Sequence, residues 1–314
     1  MDMNEKKKFV AGLSIVSNVA LTALKVFAGI ISGSLSIISE AIHSMSDLLA
    51  SFLTFFSVMK SSQPADDDHP YGHGKYEDMS GFIEGALIVL AAIYIIYEAS
   101  KKIIMGHTII LENNVGIIVM SIAVLMNFIV STMILKIAKE SNSVSLYADG
   151  QHLRTDIYSS FGVLLGLIII KITGYTLIDP IIAILVGVFI YKIGYTISKK
   201  TMQNLLDHSL PSQDIEKIKY IVSCFKDEVI LKENSIKARQ VGPTTDIDLI
   251  LQFSKDTSIC QCHKICDEIE KQIQLIYPNC SISIHPEPVC YNPNCQNLHY
   301  SGCENFNENA NTAK

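Results

Sequence analysis

The residues from Val115 to Leu135 read VGIIVMSIAVLMNFIVSTMIL and hold not one charge. A helix rises about 1.5 Å per residue and the hydrocarbon core of a bilayer is ~30 Å thick, so roughly 20 apolar residues are enough to cross it. Val115–Leu135 has that length and sets the class: a helical membrane protein. Working outward, Val10 to Ile31 qualifies with one charge, Lys25. Leu35 to Met59, Met79 to Ala99, Leu146 to Ile170 and Ile178 to Ile197 also qualify, each with ionisable residues inside it. Six transmembrane helices are expected. The connectors Ser32-Gly33-Ser34, Gly106-His107 and Thr173-Gly174 are short and carry turn residues. The first run is too long for the core of a signal peptide, and no small-residue cleavage pattern follows it, so it counts as a span.

Composition agrees. Of 314 residues 49% are hydrophobic and 18% charged, with a mean hydropathy of +0.30, whereas soluble domains carry about a quarter charged residues. The apolar excess sits before about residue 200. The chain therefore divides into a membrane part over 1–206, a soluble domain over 207–289 and a Cys- and Asn-rich tail over 290–314. Lys6, Lys7, Lys8, Lys60, Lys75, Lys136, Lys139, Lys199 and Lys200 flank one face of the spans, against Lys101, Lys102 and Lys171 on the other. Lysine excess marks the cytoplasmic side, which puts both termini in the cytoplasm of a multi-pass protein, with the plasma (inner) membrane as the expected location. The net charge of −6 and the lack of a basic, aromatic-interleaved patch argue against nucleic acid as a partner.

After Leu210-Pro211 the pattern changes. Asp214 to Phe225 and Ser258 to Tyr277 have helical periodicity, while Ser235–Val241, Thr245–Phe253 and Ser281–His285 alternate like strands. The order αββαβ predicts a small open-faced α+β sandwich.

Two spans share a pattern. The second holds His43-x-x-x-Asp47 and the fifth His152-x-x-x-Asp156. Positions i and i+4 lie on one helix face, so each pair presents an imidazole beside a carboxylate. Ionisable groups at membrane depth are expensive and face the bundle interior. Two such pairs facing each other offer two nitrogens and two oxygens, a tetrahedral set suited to Zn²⁺. Protons compete for the same ligands, so the expected activity is divalent metal efflux by proton antiport through alternating access. Zinc would be the substrate and a regulatory ion, with no catalytic cofactor. Asp149 and Glu40 are expected as groups orienting the histidines or as interfacial residues. In the second connector Asp66, His69 and His73 are spaced to converge on one ion. Cys262, His263 and Cys266 fall within one helical turn, and the tail adds Cys290, Cys295, His299 and Cys303, all soft ligands. Rival readings are a membrane metal sensor or scaffold that binds without transport, a preference for Fe, Co, Cd or Mn, and a membrane metalloprotease. The last is disfavoured by the lack of a His-Glu-x-x-His motif. No phosphate-binding Gly-rich loop points to ATP.

With these motifs the chain resembles the cation diffusion facilitator family of metal/proton antiporters. The resemblance covers nearly the whole chain. It rests on His43 and Asp47, on Ala148-Asp149-x-x-His152-x-x-x-Asp156, on the loop Pro64 to Lys75, on Leu205-Leu206-Asp207, on Gly242-Pro243-Thr244 and on Ile284-His285-Pro286-Glu287-Pro288. It implies a homodimer of six-helix protomers with a metallochaperone-like cytoplasmic domain, a four-ligand transport site between spans two and five, and a loop site on Asp66, His69 and His73. A His-Asp/His-Asp quartet looks like the zinc-type members and disfavours manganese. Lys75 and Asp207 match an interprotomer salt bridge of the family. Its regulatory ligands are matched by His263, His285 and Glu287, but Asn234 and Ile250 stand where some members have histidine, which puts a full binuclear site in doubt.

Overall fold

The computed structural model describes residues 2–32, 35–105, 114–173 and 178–289; the tail with Cys290, Cys295, His299 and Cys303 lies outside the described residues. The chain divides into a helical unit, Met1–His208 with Gln240–Thr244, and a smaller unit, Ser209–Arg239 with Thr245–Lys314.

The helical unit holds α1 (Met3–Ser32), α2 (Leu35–Ser61), α3 (Lys75–Met105), α4 (Asn114–Ser141), α5 (Val144–Thr173) and α6 (Ile178–Leu205). Each runs past its apolar stretch into polar flanks, because hydropathy marks the lipid-facing length and not the helix ends. Among the described residues four stretches are long and apolar enough to cross a membrane: Met3–Phe27, Lys75–Met105, Ser121–Ser141 and Pro180–Leu205.

A lipid environment does not drive helices together, so close approach through small residues does. The largest interface joins α3 to α6. There a Cβ added to Gly194 would lie 2.9 Å from the Val89 backbone nitrogen and 3.0 Å from the Gly85 oxygen, and one on Gly85 would lie 2.8 Å from the Ser198 nitrogen. The backbones are too near for any side chain at these positions.

Two helix ends are closed by Schellman turns on residues other than glycine. After α4, Asn142 takes φ 52° and the Ser143 N–H donates to the Ala138 oxygen at 3.1 Å. After α6, Asp207 takes φ 55°, with His208 N–H donating to Gln203 and Asp207 N–H to Asn204. Asn and Asp tolerate this left-handed conformation better than other side chains.

The helices are tied at one end by Glu77 of α3, which is fully buried. Lys7 of α1 pairs with Glu77 Oε1, Ser61 of α2 donates to the same oxygen at 2.6 Å, and Ser143, at the head of α5, donates to Oε2. Removing one partner of a buried pair leaves an uncompensated charge and costs about 3–5 kcal/mol.

The smaller unit follows the expected order: α7 (Ser212–Ser223), β1 (Ile230–Val241), β2 (Thr244–Phe253), α8 (Ile259–Ile276) and β3 (Cys280–Pro288). The sheet order is β1-β2-β3, with β2 and β3 parallel and Ile250 opposite His285. Ser258 caps α8 in a capping box with Gln261. Both helices pack on one sheet face, where Ile218, Ile221, Val222, Cys266, Ile269 and Ile273 meet Ile247, Leu249, Leu251 and Phe253.

Replacing Gly194 by Ala is expected to destabilise the helical unit by about 1–3 kcal/mol through overpacking against backbone, and by Leu to prevent α3–α6 packing. Melting of the detergent-solubilised protein checks this; an unchanged melt for Gly194→Leu would contradict the close approach.

Candidate metal site

In α2 and α5 the helical repeat sets which residues meet. His152 Nε2 lies 3.1 Å from Asp47 Oδ1, with both side chains less than a tenth exposed. Asp156, one turn beyond His152, completes the group: one ligand atom from each of Asp47, His152 and Asp156 lies within 4.8 Å of the others. The structure thus brings together three of the four expected transport-site residues. The side chains of His43 and Glu40 lie outside the described residues.

Around this cluster the bundle is polar. Thr22 of α1 donates to the Ser44 carbonyl oxygen at 3.2 Å, and Lys25 donates to Ser44 Oγ at 2.7 Å. Asp149 Oδ1 accepts from Ser14 and Ser51, each at 3.2 Å, and Ser51 also accepts from Asn18 at 2.6 Å. The expectation that Asp149 orients a histidine is corrected here. The carboxylate is held by the two serines, while His152 Nδ1 is buried with no hydrogen-bond partner and Nε2 faces Asp47. Asp149 is fully buried, so it is not interfacial either.

The loop between α2 and α3 forms a second cluster. Asp66 lies 3.2 Å from His69 Nδ1 through one oxygen and 3.3 Å from His73 Nε2 through the other, and the two rings stand 4.5 Å apart. These residues also have ligand atoms within 4.8 Å of one another. The spacing of three and four works because Asp66 turns back on the chain: the His69 N–H donates to Oδ1 at 2.7 Å. That bond, with the two imidazoles and against desolvation, holds the Asp66 carboxyl below the usual carboxylate range. An ionised carboxylate between two imidazoles is a hard and borderline donor set for a divalent cation.

Lys75 Nζ meets Asp207 Oδ1 at 2.9 Å within the chain. Asp207 reaches it from the left-handed end of α6.

The smaller unit does not assemble its expected ligands. His263 lies on the exposed side of α8, 3.4 Å from Asp267. His285 and Glu287 alternate with the core-packed Ile282 and Ile284, so they point from the sheet face that the helices leave open. Cys266 belongs to the apolar core, where burial first, then the negative charge of Cys262, Glu270 and Asp267, pushes its thiol up to about 11. Cys262 packs against the same core. A cysteine at an i+4 apolar position reads equally as ligand and as core.

Sequence reasoning missed three groups: the Lys7–Glu77 pair, Lys25 on Ser44, and Glu84, buried with Thr54 and Ser80 donating to Oε1. Their signal was an ionisable residue inside an apolar run, legible at Lys25 and Glu84.

A helical membrane unit with a carboxylate–imidazole cluster between two helices, followed by a small αββαβ unit, defines a metal-cation transporter of the efflux type. The chain belongs to the cation efflux family: residues 12–206 match the cation efflux transmembrane domain and residues 210–289 the cation efflux protein cytoplasmic domain. It is similar to an uncharacterised transporter, sll1263, of Synechocystis, with 30% identity over 279 residues covering 89% of each chain. It is also similar to the cation-efflux pump FieF of Shewanella oneidensis, with 26% identity over 92% of this chain and 96% of that protein. Against FieF of Escherichia coli strain K12 the identity is 27%, over 87% and 90%. The protein is a transporter and not an enzyme.

If the loop cluster takes an ion, Asp66→Ala lowers the zinc bound by the purified protein by about one equivalent per chain, because an essential deprotonated ligand is gone. A zinc titration against a fluorescent chelator checks this; undiminished stoichiometry would rule the loop out.

Proposed function

We propose that the protein moves a divalent transition metal, with zinc preferred, out of the cytoplasm by proton antiport. The ion is held by His43, Asp47, His152 and Asp156 between α2 and α5. The observation that carries this reading is the convergence of Asp47, His152 and Asp156 inside the bundle. Nitrogen and oxygen ligands without thiolates suit an ion that has to be released. All three exchange protons for metal, so a proton gradient can drive release. Six spans are supported by six helices of 27 to 31 residues, each about 40 Å or more at 1.5 Å per residue. The lysine distribution supports cytoplasmic termini and an inner-membrane location. Asp66, His69 and His73 serve as a second ion site on the cytoplasmic side. The matched cytoplasmic domain supports a homodimer. His263 and the pair His285–Glu287 do not converge in one chain, so a regulatory ion there draws ligands from two protomers.

In proteoliposomes with an imposed pH gradient, Asp47→Ala and Asp156→Ala each lower zinc flux by more than about 100-fold, since partners one bond removed from a metal are already worth 10–100-fold. Near-normal flux in either would overturn the assignment, and zinc binding without flux in the unaltered protein would make it a sensor. Competition among Zn, Cd, Co, Fe and Mn in the same assay ranks the ions. Lys75→Glu lowers flux about fivefold, the value of an exposed pair of ~1 kcal/mol, and adding Asp207→Lys restores part of it; an undiminished Lys75→Glu would remove the pair from the mechanism.

A further inference from the structure

Glu84 of α3 and Asp149 of α5 are both fully buried inside the helical unit. They lie within electrostatic reach of each other. Each has one oxygen held by hydroxyls: Glu84 Oε1 by Thr54 and Ser80, Asp149 Oδ1 by Ser14 and Ser51. Each also has one oxygen, Glu84 Oε2 and Asp149 Oδ2, buried with no hydrogen-bond partner. Two neighbouring anions with orphaned oxygens in a low-dielectric interior are strongly unfavourable, and like-charged carboxylates that share a site do not both ionise.

Among the described residues, the ionisable groups that act on them are each other and His152. From α5, His152 acts on Asp149, but its Nε2 faces Asp47 of α2, and Asp156 is one turn further on. From α3 itself, Glu77 is bound to Lys7 of α1, and Asp78 accepts from Asn204 of α6. Lys25 of α1 is on Ser44. Among the described residues of α4 and α6, Lys136, Lys139, Glu140, Lys192, Lys199 and Lys200 are exposed. Asp149 lies one helical turn from His152, and Ser51, which holds it, one turn from Asp47, so the pair sits beside the metal cluster, towards the end of the bundle where Glu77 ties the helices.

We infer that Glu84 and Asp149 form a proton-holding pair that gives up a proton when a metal ion arrives at Asp47, His152 and Asp156 and takes one back when it leaves. The balance is simple: the carboxylic acid becomes carboxylate plus a proton released to solvent, drawn by the double positive charge one turn away. The ligands need not then be the only source of exchanged protons. The inference rests on the metal-site reading above and adds two residues to the coupling machinery that touch no metal.

The test counts protons. Full-length protein in detergent and weak buffer near pH 7 receives Zn²⁺, with a pH indicator reporting release and a fluorescent chelator reporting zinc bound. Glu84→Gln, Asp149→Asn and the double variant are expected to bind zinc within about threefold of the unaltered protein while releasing fewer protons per zinc, about one fewer in the double variant. Thr54→Val and Ser14→Ala disturb the packing but leave both carboxylates, and are expected to keep the proton count. An unchanged count in Glu84→Gln and the double variant, with zinc bound, overturns the inference, as does an equal loss in the Thr54 and Ser14 controls. Equal zinc binding by the unaltered protein and Asp47→Ala instead overturns the metal-site reading and, through it, this one.

Discussion

Inside a bilayer a polar group has no water to fall back on, so a carboxylate, ammonium or hydroxyl in the bundle is costly unless it finds a partner within the protein. Glu77 is where that constraint gathers most of the fold. Its two oxygens take Lys7 from α1, Ser61 from α2 and Ser143 at the head of α5, so one side chain sets the relation of four helices. The left-handed Asn142 turn delivers Ser143 to it, which makes a corner between α4 and α5 part of the same node. The node does not transport anything, but it holds α2 and α5 at the positions from which Asp47 and His152 meet.

The site is built into otherwise apolar helices. Helices α2 and α5 give a face to ionisable and hydroxyl groups, while α3 and α6 bind each other closely through Gly85 and Gly194. A helix that supplies ligands stays in the bundle because its polar face is matched: Asp47 by His152, Asp149 by Ser14 and Ser51, Ser44 by Lys25.

Much of this was legible in the sequence. Hydropathy and turn residues marked the helices, and a strand or helix period marked each element of the αββαβ unit, because burial on one face writes directly into residue order. The His-x-x-x-Asp repeat led to Asp47, His152 and Asp156, since i and i+4 geometry is local. What was not legible depends on distant pairing. Nothing local says that Lys7 meets Glu77 seventy residues away, or that Asp149 turns to Ser14 rather than to the histidine three positions along. Cys262 and Cys266 are ambiguous for the opposite reason: their spacing suits ligands, and the same spacing is the core stripe of α8.

The two clusters use the same donor types in different settings, and that difference bears on how an ion leaves each. In the loop, Asp66 and His69 are about half exposed, so an ion bound there exchanges with solvent without any helix moving. Asp47 and His152 are closed off, less than a tenth exposed, and Asp156 is half-buried. Release from the proposed inner site would therefore be eased by movement of the ligand helices. The contacts divide accordingly: the direct α2–α5 interface is small, whereas α3 and α6 share the largest one, closed by glycine against backbone. Motion is cheapest where the interface is small and most costly where backbones touch. The two ligand helices thus meet little direct packing between themselves, beside a pair locked by backbone approach, which is the mechanical condition the proposed buried ion site requires.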